Sequence, residues 1–269
     1  MSNTETESKP PSKRPVDHST PDPKTPTHVM SFDVEALGQT PRVSGMVELA
    51  ACVWKIGEDH LSDSKYFFFG TDARRCPRTW DEFWNNREKS STNETPWDNL
   101  QVRLQLEKPY KYMLGEAAAE LVAWAREWYQ RTDGLIIVIT DTPGFDYQFI
   151  SDMLACLETM PGSLSSSEES GASPPYSLNY LFGKYQPVCD INSFYKGQGG
   201  VLCKWGARRG MEEKLAVQKP KWLLYYEDAY DHNPVNDACA IAARAAFYLS
   251  ILHGPTEKTK KKAKTTDGQ

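Results

Sequence analysis

From Val29 to Gly38 the chain alternates between apolar and polar positions (Val-Met-Ser-Phe-Asp-Val-Glu-Ala-Leu-Gly). The two-residue period predicts a strand. Met30, Phe32 and Val34 point to one face, and Val29, Ser31, Asp33 and Glu35 to the other. After a turn over Gly38–Gly45, Met46–Ile56 predicts a second, largely buried strand; Ser64–Gly70, with Tyr66 and three consecutive phenylalanines, predicts a third. Short connections between these strands read as an antiparallel meander. The period then changes. In Gly115–Gln130, Ala118, Leu121, Val122, Ala125 and Trp128 recur at helical spacing. Leu135–Thr140 is a continuous apolar run, the pattern of a central strand covered on both faces. A helix is expected from Pro143 to about Glu158, capped by Thr142, with Phe145, Phe149, Met153 and Leu157 as its apolar stripe. Pro187–Ser193 reads as a short fifth strand leading into a helix, with Asp190 as cap or turn former, or near a site. Asn233 and Pro234 form the cap and first position of a last helix ending near His253, with Ala238, Ile241, Ala242, Ala245, Tyr248 and Leu252 buried. This order predicts an α/β fold: a mixed sheet, antiparallel meander plus parallel strands, flanked by helices.

Residues 71–110 are less regular; Thr79 is expected to cap a short helix over Trp80–Trp84, with Glu82 completing a capping box. Residues 1–27, rich in Pro, Ser, Thr, Lys and Glu, read as a disordered tail. Residues 28–253 read as the folded domain, and the Ser-rich stretch at about 161–175 as a mobile insertion within it. Residues 254–269 read as a basic disordered tail: either a solvated end, a tether for polyanions, or a nuclear address. The full chain of 269 residues is 39% hydrophobic, which suffices for a real core even with polar tails diluting the average. No apolar run approaches the ~20 residues of a membrane span, and no secretory leader is read at the N-terminus. The six cysteines show no metal-finger spacing and read as reduced thiols of an intracellular protein, cytoplasmic or nuclear, not secreted. The net charge is −5, against a simple nucleic-acid-coating role. The C-terminal tail holds five lysines against Glu257 and Asp267, so the rest of the chain is more acidic still.

That acid raises the question of Asp33 and Glu35, two carboxylates on one face and one pleat apart. At about 4 Å and an effective dielectric of ~20 their repulsion costs on the order of 4 kcal/mol. An exposed edge strand would solvate them; a buried one needs a cation or a raised pKa. Two further groups stand at helix starts: Phe145-Asp146, after the central strand, and His232, five residues before Asp237 in the first turn of the last helix.

Asp33-x-Glu35, then Phe145-Asp146, then His232-x-x-x-x-Asp237, in that order, resemble the three motifs of the DEDDh 3′–5′ exonucleases, over about residues 28–253. Asp141-x-Pro-x-Phe-Asp146, the Trp80–Trp84 stretch and the Asp-Ala-Cys-Ala ending are similar to the phage-type exonuclease and mycobacterial-type exoribonuclease branch. The resemblance implies an RNase H-like domain. It implies Asp33, Glu35, Asp146 and Asp237 as ligands of two divalent ions, Mg²⁺ or Mn²⁺, and His232 as general base. Asp141 is a rival to Asp146, better placed to brace the loop. The implied reaction is hydrolysis of the terminal 3′ phosphodiester of single-stranded DNA or RNA, releasing nucleoside 5′-monophosphates. It also implies that Ala36, Leu37 and Gly38 line the pocket of the 3′ nucleotide, and it admits a homodimer. Trp80, Phe83 and Trp84 either stack a terminal base or belong to the core. The alternative to an enzyme is a catalytically silent nucleic-acid-binding or protein-interaction module on the same fold; no membrane partner is expected.

Overall fold

The computed structural model describes residues 25–90, 93–159, 178, 181–182, 188–191, 193, 212–213, 218–228 and 232–253. The tail segments 1–24 and 254–269, the 161–175 insertion and Cys203 lie outside them. Among the described residues, five strands form one mixed sheet in the order β3-β2-β1-β4-β5. They are β1 (His28–Ala36), β2 (Met46–Lys55), β3 (Leu61–Phe68), β4 (Ile136–Thr140) and β5 (Val188–Asp190). β1, β2 and β3 are antiparallel neighbours, whereas β4 runs parallel to β1, and β5 to β4. This is the expected mixed sheet, an antiparallel meander plus parallel strands. β3 begins at Leu61, ahead of the expected Ser64, because Asp63 and Leu61 continue the ladder with β2.

The two faces of β1 are covered by different helices. Met30, Phe32 and Val34 enter a core with α3 (Leu114–Arg131) and α4 (Pro143–Ala155), through Leu121, Ala125, Phe149 and Met153. On the other face, Val29, Ala50, Cys52 and Trp54 meet the last helix, α6 (Pro234–His253). Ala238, Ala242 and Ala245 let α6 lie close to the sheet, and the Ser31 hydroxyl donates to the Ala238 carbonyl at 2.6 Å. Tyr248 is buried as expected; Leu252 is only half-buried. By length and composition Pro234–Leu252 is apolar enough to cross a membrane, contrary to the sequence reading, but 61% of that window is buried against the sheet. The five cysteines among the described residues form no disulfide.

Residues 71–110 hold more structure than their sequence suggests. α1 (Pro77–Thr79) runs into a π-helical turn (Trp80–Trp84), followed by a 3₁₀ turn (Arg87–Lys89) and the twelve-residue α2 (Pro96–Glu107). Thr79 is not a cap: Pro77 starts the helix, Thr79 is already helical at φ −64° and ψ −34°, and its side chain caps nothing. Glu82 pairs with Arg78 at 2.9 Å instead of closing a box. The capping box belongs to α2, where the Thr95 hydroxyl accepts from Asp98 N at 3.1 Å and Asp98 accepts from Thr95 N. A short helix, α5 (Lys221–Asp228), packs beside α6 through Leu223 and Trp222.

Candidate active site

Pairing between β1 and β4 is recorded only as far as Ser31 and Ile139, so the C-terminal half of β1 runs on past its parallel neighbour. A crevice at the carboxyl ends of strands, where neighbouring connections diverge, is where open α/β sheets bind ligands. Asp33 and Glu35 project from β1 at that point. Asp146 enters from the first turn of α4, and Asp237 from the first turn of α6. The helix starts explain the placement: Pro143 and Pro234 each open a helix, and a carboxylate in the turn that follows faces the positive end of the backbone dipole. Asn233 Oδ1 accepts from Val235 N at 3.1 Å, the expected cap. At α4 the cap differs from expectation. The Thr142 hydroxyl donates to Asp141 at 2.8 Å, and only the Thr142 carbonyl receives the amides of Phe145 and Asp146.

All four carboxylates are buried, with Asp33 7%, Glu35 8%, Asp146 2% and Asp237 1% exposed. They line one cavity of about 410 Å³ together with His232, Asp141, Phe83 and Lys89. Burial pushes the Asp33 carboxyl well above the ordinary carboxylate range, and the charges of Glu35, Asp237, Asp146 and Asp141 push it further. Burial also raises Asp146, with Asp141 adding to it. Glu35 is raised by burial and pulled back by its pairing with His232, whose Nδ1 lies 3.7 Å from Glu35 Oε1. For His232, burial lowers the pKa. Glu35, Asp237 and a hydrogen bond to the Lys89 carbonyl outweigh it, and the net shift is upward. His232 adopts φ 59°, a left-handed backbone that histidine enters more readily than most residues. Its ring meets Phe83 edge-on, with centroids 4.7 Å apart.

Two buried oxygens, Asp33 Oδ2 and Asp146 Oδ2, have no hydrogen-bond partner among the described residues. A buried carboxylate oxygen without a donor is costly unless a cation reaches it. Glu35, His232 and Asp237 each offer a ligand atom, all within 4.8 Å of one another. The donor set, mostly carboxylate oxygen, suits a hard divalent ion such as Mg²⁺ or Mn²⁺.

The five motif residues therefore meet in one cavity. Asp141 lines the same cavity and braces the loop through Thr142. Ala36 and Gly38 line it too, but Leu37 does not: it is fully buried with Val47 and Trp84. Gly38 is required for close approach, since a Cβ there would sit 2.5 Å from Ser44 Oγ and 2.7 Å from Cys76 Cβ. Of the three aromatics, only Phe83 faces the cavity. Trp84 is 1% exposed and donates from Nε1 to the Ala36 carbonyl at 3.0 Å, so it is core and stacks no base. Trp80 packs on Trp97 instead. Asp190 accepts from the Ser193 hydroxyl at 2.6 Å, as a turn former does, and lines a separate apolar cavity with Ile137, Ile139 and Leu249. Sequence reasoning missed Gln39 and Lys89 in the wall of the acid cavity. Nothing in the local sequence marks either.

No protein-family model and no curated protein matches the chain. Among solved structures it is similar to the nuclease domain of 3'hExo, a DEDDh family member bound to rAMP. The identity is 12% and the TM-score 0.41, covering 85% of this chain and 94% of that one. It is also similar to exonuclease I from Methylocaldum szegediense, at 14% identity and a TM-score of 0.45, over 85% of this chain and 41% of that one. E. coli exonuclease I in complex with an oligonucleotide gives 11% identity and a TM-score of 0.44, over 83% and 40%. The chain spans about two fifths of the exonuclease I chains. At these scores the functional reading rests on the site's own residues.

Proposed function

We propose that this cavity is the active site of a metal-dependent 3′–5′ exonuclease acting on single-stranded DNA or RNA ends. One observation carries the reading: four buried carboxylates from three distant segments converge on one cavity, and two of their oxygens are left without a donor among the described residues. Buried charge left unpaired is expensive, and a fold without use for it would replace it. Asp33, Glu35, Asp146 and Asp237 would hold two divalent ions. Such ions supply charge neutralisation at a phosphodiester and acidify a bound water.

The remaining groups have roles of their own. His232 sits at the mouth beside Glu35 and is the group in the cavity suited to take a proton from water near neutral pH. Its upward shift is due mainly to Glu35, so ligation of Glu35 would lower it and leave more of the imidazole unprotonated, free to accept a proton near neutral pH. Phe83 and the Lys89 carbonyl also contact the imidazole. Ala36 and Gly38 give a wall without bulky side chains, which leaves room for a terminal sugar and base.

The test uses 5′-labelled single strands of DNA and RNA with Mn²⁺ or EDTA, comparing wild type with Asp146→Asn and His232→Ala. A metal-dependent ladder shrinking from the 3′ end, lost in both variants, is the expected result. No degradation of either strand, with the fold still stabilised by Mn²⁺, would overturn hydrolysis in favour of a binding module.

A further inference from the structure

Three arginines precede the π-helical turn at the edge of the cavity, and two of them are committed. Arg74 donates to the carbonyls of Val43 and Arg42 at 2.7 and 2.6 Å. Arg78 pairs with Glu82. Arg75 differs. Its guanidinium carbon lies 4.1 Å from the Trp80 ring centre and 4.6 Å from that of Trp97, and among the described residues it makes no ion pair or hydrogen bond. Two indoles thus hold an exposed cation while leaving its N–H donors uncommitted.

That arrangement is suited to an anion. An arginine whose rotamers are already restricted loses little further entropy on binding, and its planar fork matches a phosphate. Arg131 provides an internal contrast. It too lies over an indole, Trp128 at 5.2 Å, but it is paired with Glu127 on the same helix. Its donors are already engaged.

The position relates Arg75 to the active cavity. Its neighbour Cys76 donates from the backbone to the Leu37 carbonyl at 2.8 Å, and packs so tightly against Gly38 that a Cβ there would lie 2.7 Å away. Gly38 lines the cavity, as do Thr79, Glu82 and Phe83 from the turn that carries Trp80. Arg75 is therefore at the rim, beside the walls that the substrate's terminal nucleotide would touch. Among the described residues, the cavity is lined by six carboxylates and one lysine, Lys89. A strand leaving it needs a cation outside the acid field to hold its next phosphates.

We infer that Arg75, held on Trp80 and Trp97, is a subsite for the phosphodiester backbone of a single strand, 5′ of the nucleotide in the cavity. The inference rests on the exonuclease reading for the direction of the strand, and on the stack itself for the binding.

The experiment measures binding apart from hydrolysis. A 5′-fluorescein dT12 strand, and the same-length RNA, are titrated by anisotropy into the Asp146→Asn protein with EDTA, across 50–200 mM salt. Arg75→Ala in that background is expected to weaken binding about tenfold and to lower the salt slope by about 0.7, the value of one phosphate contact on a single strand. Arg131→Ala is expected to change neither. Arg75→Lys, which keeps the charge and loses the stacked plane, should recover less than half of the loss. Equal affinity and slope for Arg75→Ala, an equal loss for Arg131→Ala, full recovery by lysine, or no strand binding at all would each overturn the subsite. If the wild type cleaves neither strand while Arg75 still carries binding, hydrolysis fails and the subsite stands.

Discussion

Two groups of buried acid lie on the same face of the sheet, with Glu35 and Glu48 directly opposite each other across β1 and β2. They are handled in opposite ways. Glu48 is fully buried, yet Arg103 from α2 donates to its Oε2 at 2.7 Å and the Tyr66 hydroxyl donates to its Oε1. Every oxygen there has a partner inside the chain. Across the strand, Asp33, Glu35, Asp146 and Asp237 are four acids with the His232 imidazole nearby, and two of their oxygens face no donor among the described residues. The first arrangement is what a fold builds to keep a buried charge. The second is what it leaves when the missing charge comes from outside. Burial alone distinguishes nothing here; the state of the second partner does.

The largest expected effect breaks the cluster in the cavity. Asp146→Asn or Asp33→Asn should lower exonuclease activity on the order of 10³-fold or more, read from the rate of shortening of labelled strands. The same change should not destabilise the protein in EDTA. Burial and neighbouring acids disfavour either charge, so removing it should leave the urea midpoint unchanged or raise stability by about 1 kcal/mol. A large loss of stability in EDTA would mean that the carboxylate is structural.

The paired cluster should respond in reverse. Arg103→Met leaves Glu48 buried and uncompensated, at an expected cost of about 3–5 kcal/mol. The double variant Glu48→Gln, Arg103→Met should regain most of that. Urea melts of the single and double variants measure it, and a single-variant cost below about 1 kcal/mol would remove the contrast.

The sequence shows one of these clusters and hides the other, for a physical reason. The carboxylates of the site stand at ends of elements whose punctuation is local: Pro143 three residues before Asp146, Pro234 three before Asp237, and strict alternation around Asp33 and Glu35. Strand and helix periods likewise made the sheet and its covering helices readable. Glu48 and Arg103 are 55 residues apart, and Arg103 rides on α2, which was not foreseen. That helix has few buried residues: Leu100 is core, but Val102 and Leu106 are 56% and 79% exposed, so no clear apolar stripe declares it. The aromatics fail for a related reason. Phe83 and Trp84 are neighbours in a π-helical turn, where the side chains do not follow the 3.6-residue period, so spacing could not say which of them faces the cavity.

A smaller effect concerns pH and sharpens the same contrast. Asp33, Glu35 and Asp146 bind protons more tightly folded than unfolded, because their folded pKa values are raised. Their contribution to stability is present below the unfolded carboxylate range and is lost as pH rises through the folded values. His232, also raised, adds loss in the same direction above its ordinary value. In EDTA, stability should therefore fall from pH 5 to pH 8, each linked proton giving a slope of at most ~1.4 kcal/mol per pH unit. Thermal melts in EDTA should show a shallower fall for Asp33→Asn, and Mn²⁺ should stabilise the wild type more at pH 8 than at pH 5. A melting temperature that rises over that range would contradict the assignment.

The smallest effect tests whether the two clusters are separable at all. Tyr66→Phe removes one donor from Glu48 while Arg103 remains, so the expected loss is about 1.5 kcal/mol, well below that of Arg103→Met. Glu48 sits opposite Glu35, and a shift of its carboxylate would be felt across the strand pair. If Glu48 is only a neutralised neighbour, Tyr66→Phe lowers stability and leaves strand shortening within about twofold, since no group facing the cavity has changed. A loss of activity approaching that of Asp146→Asn, at so small a cost in stability, would instead join Tyr66 and Glu48 to the site: the paired cluster would then be the support that aims Glu35.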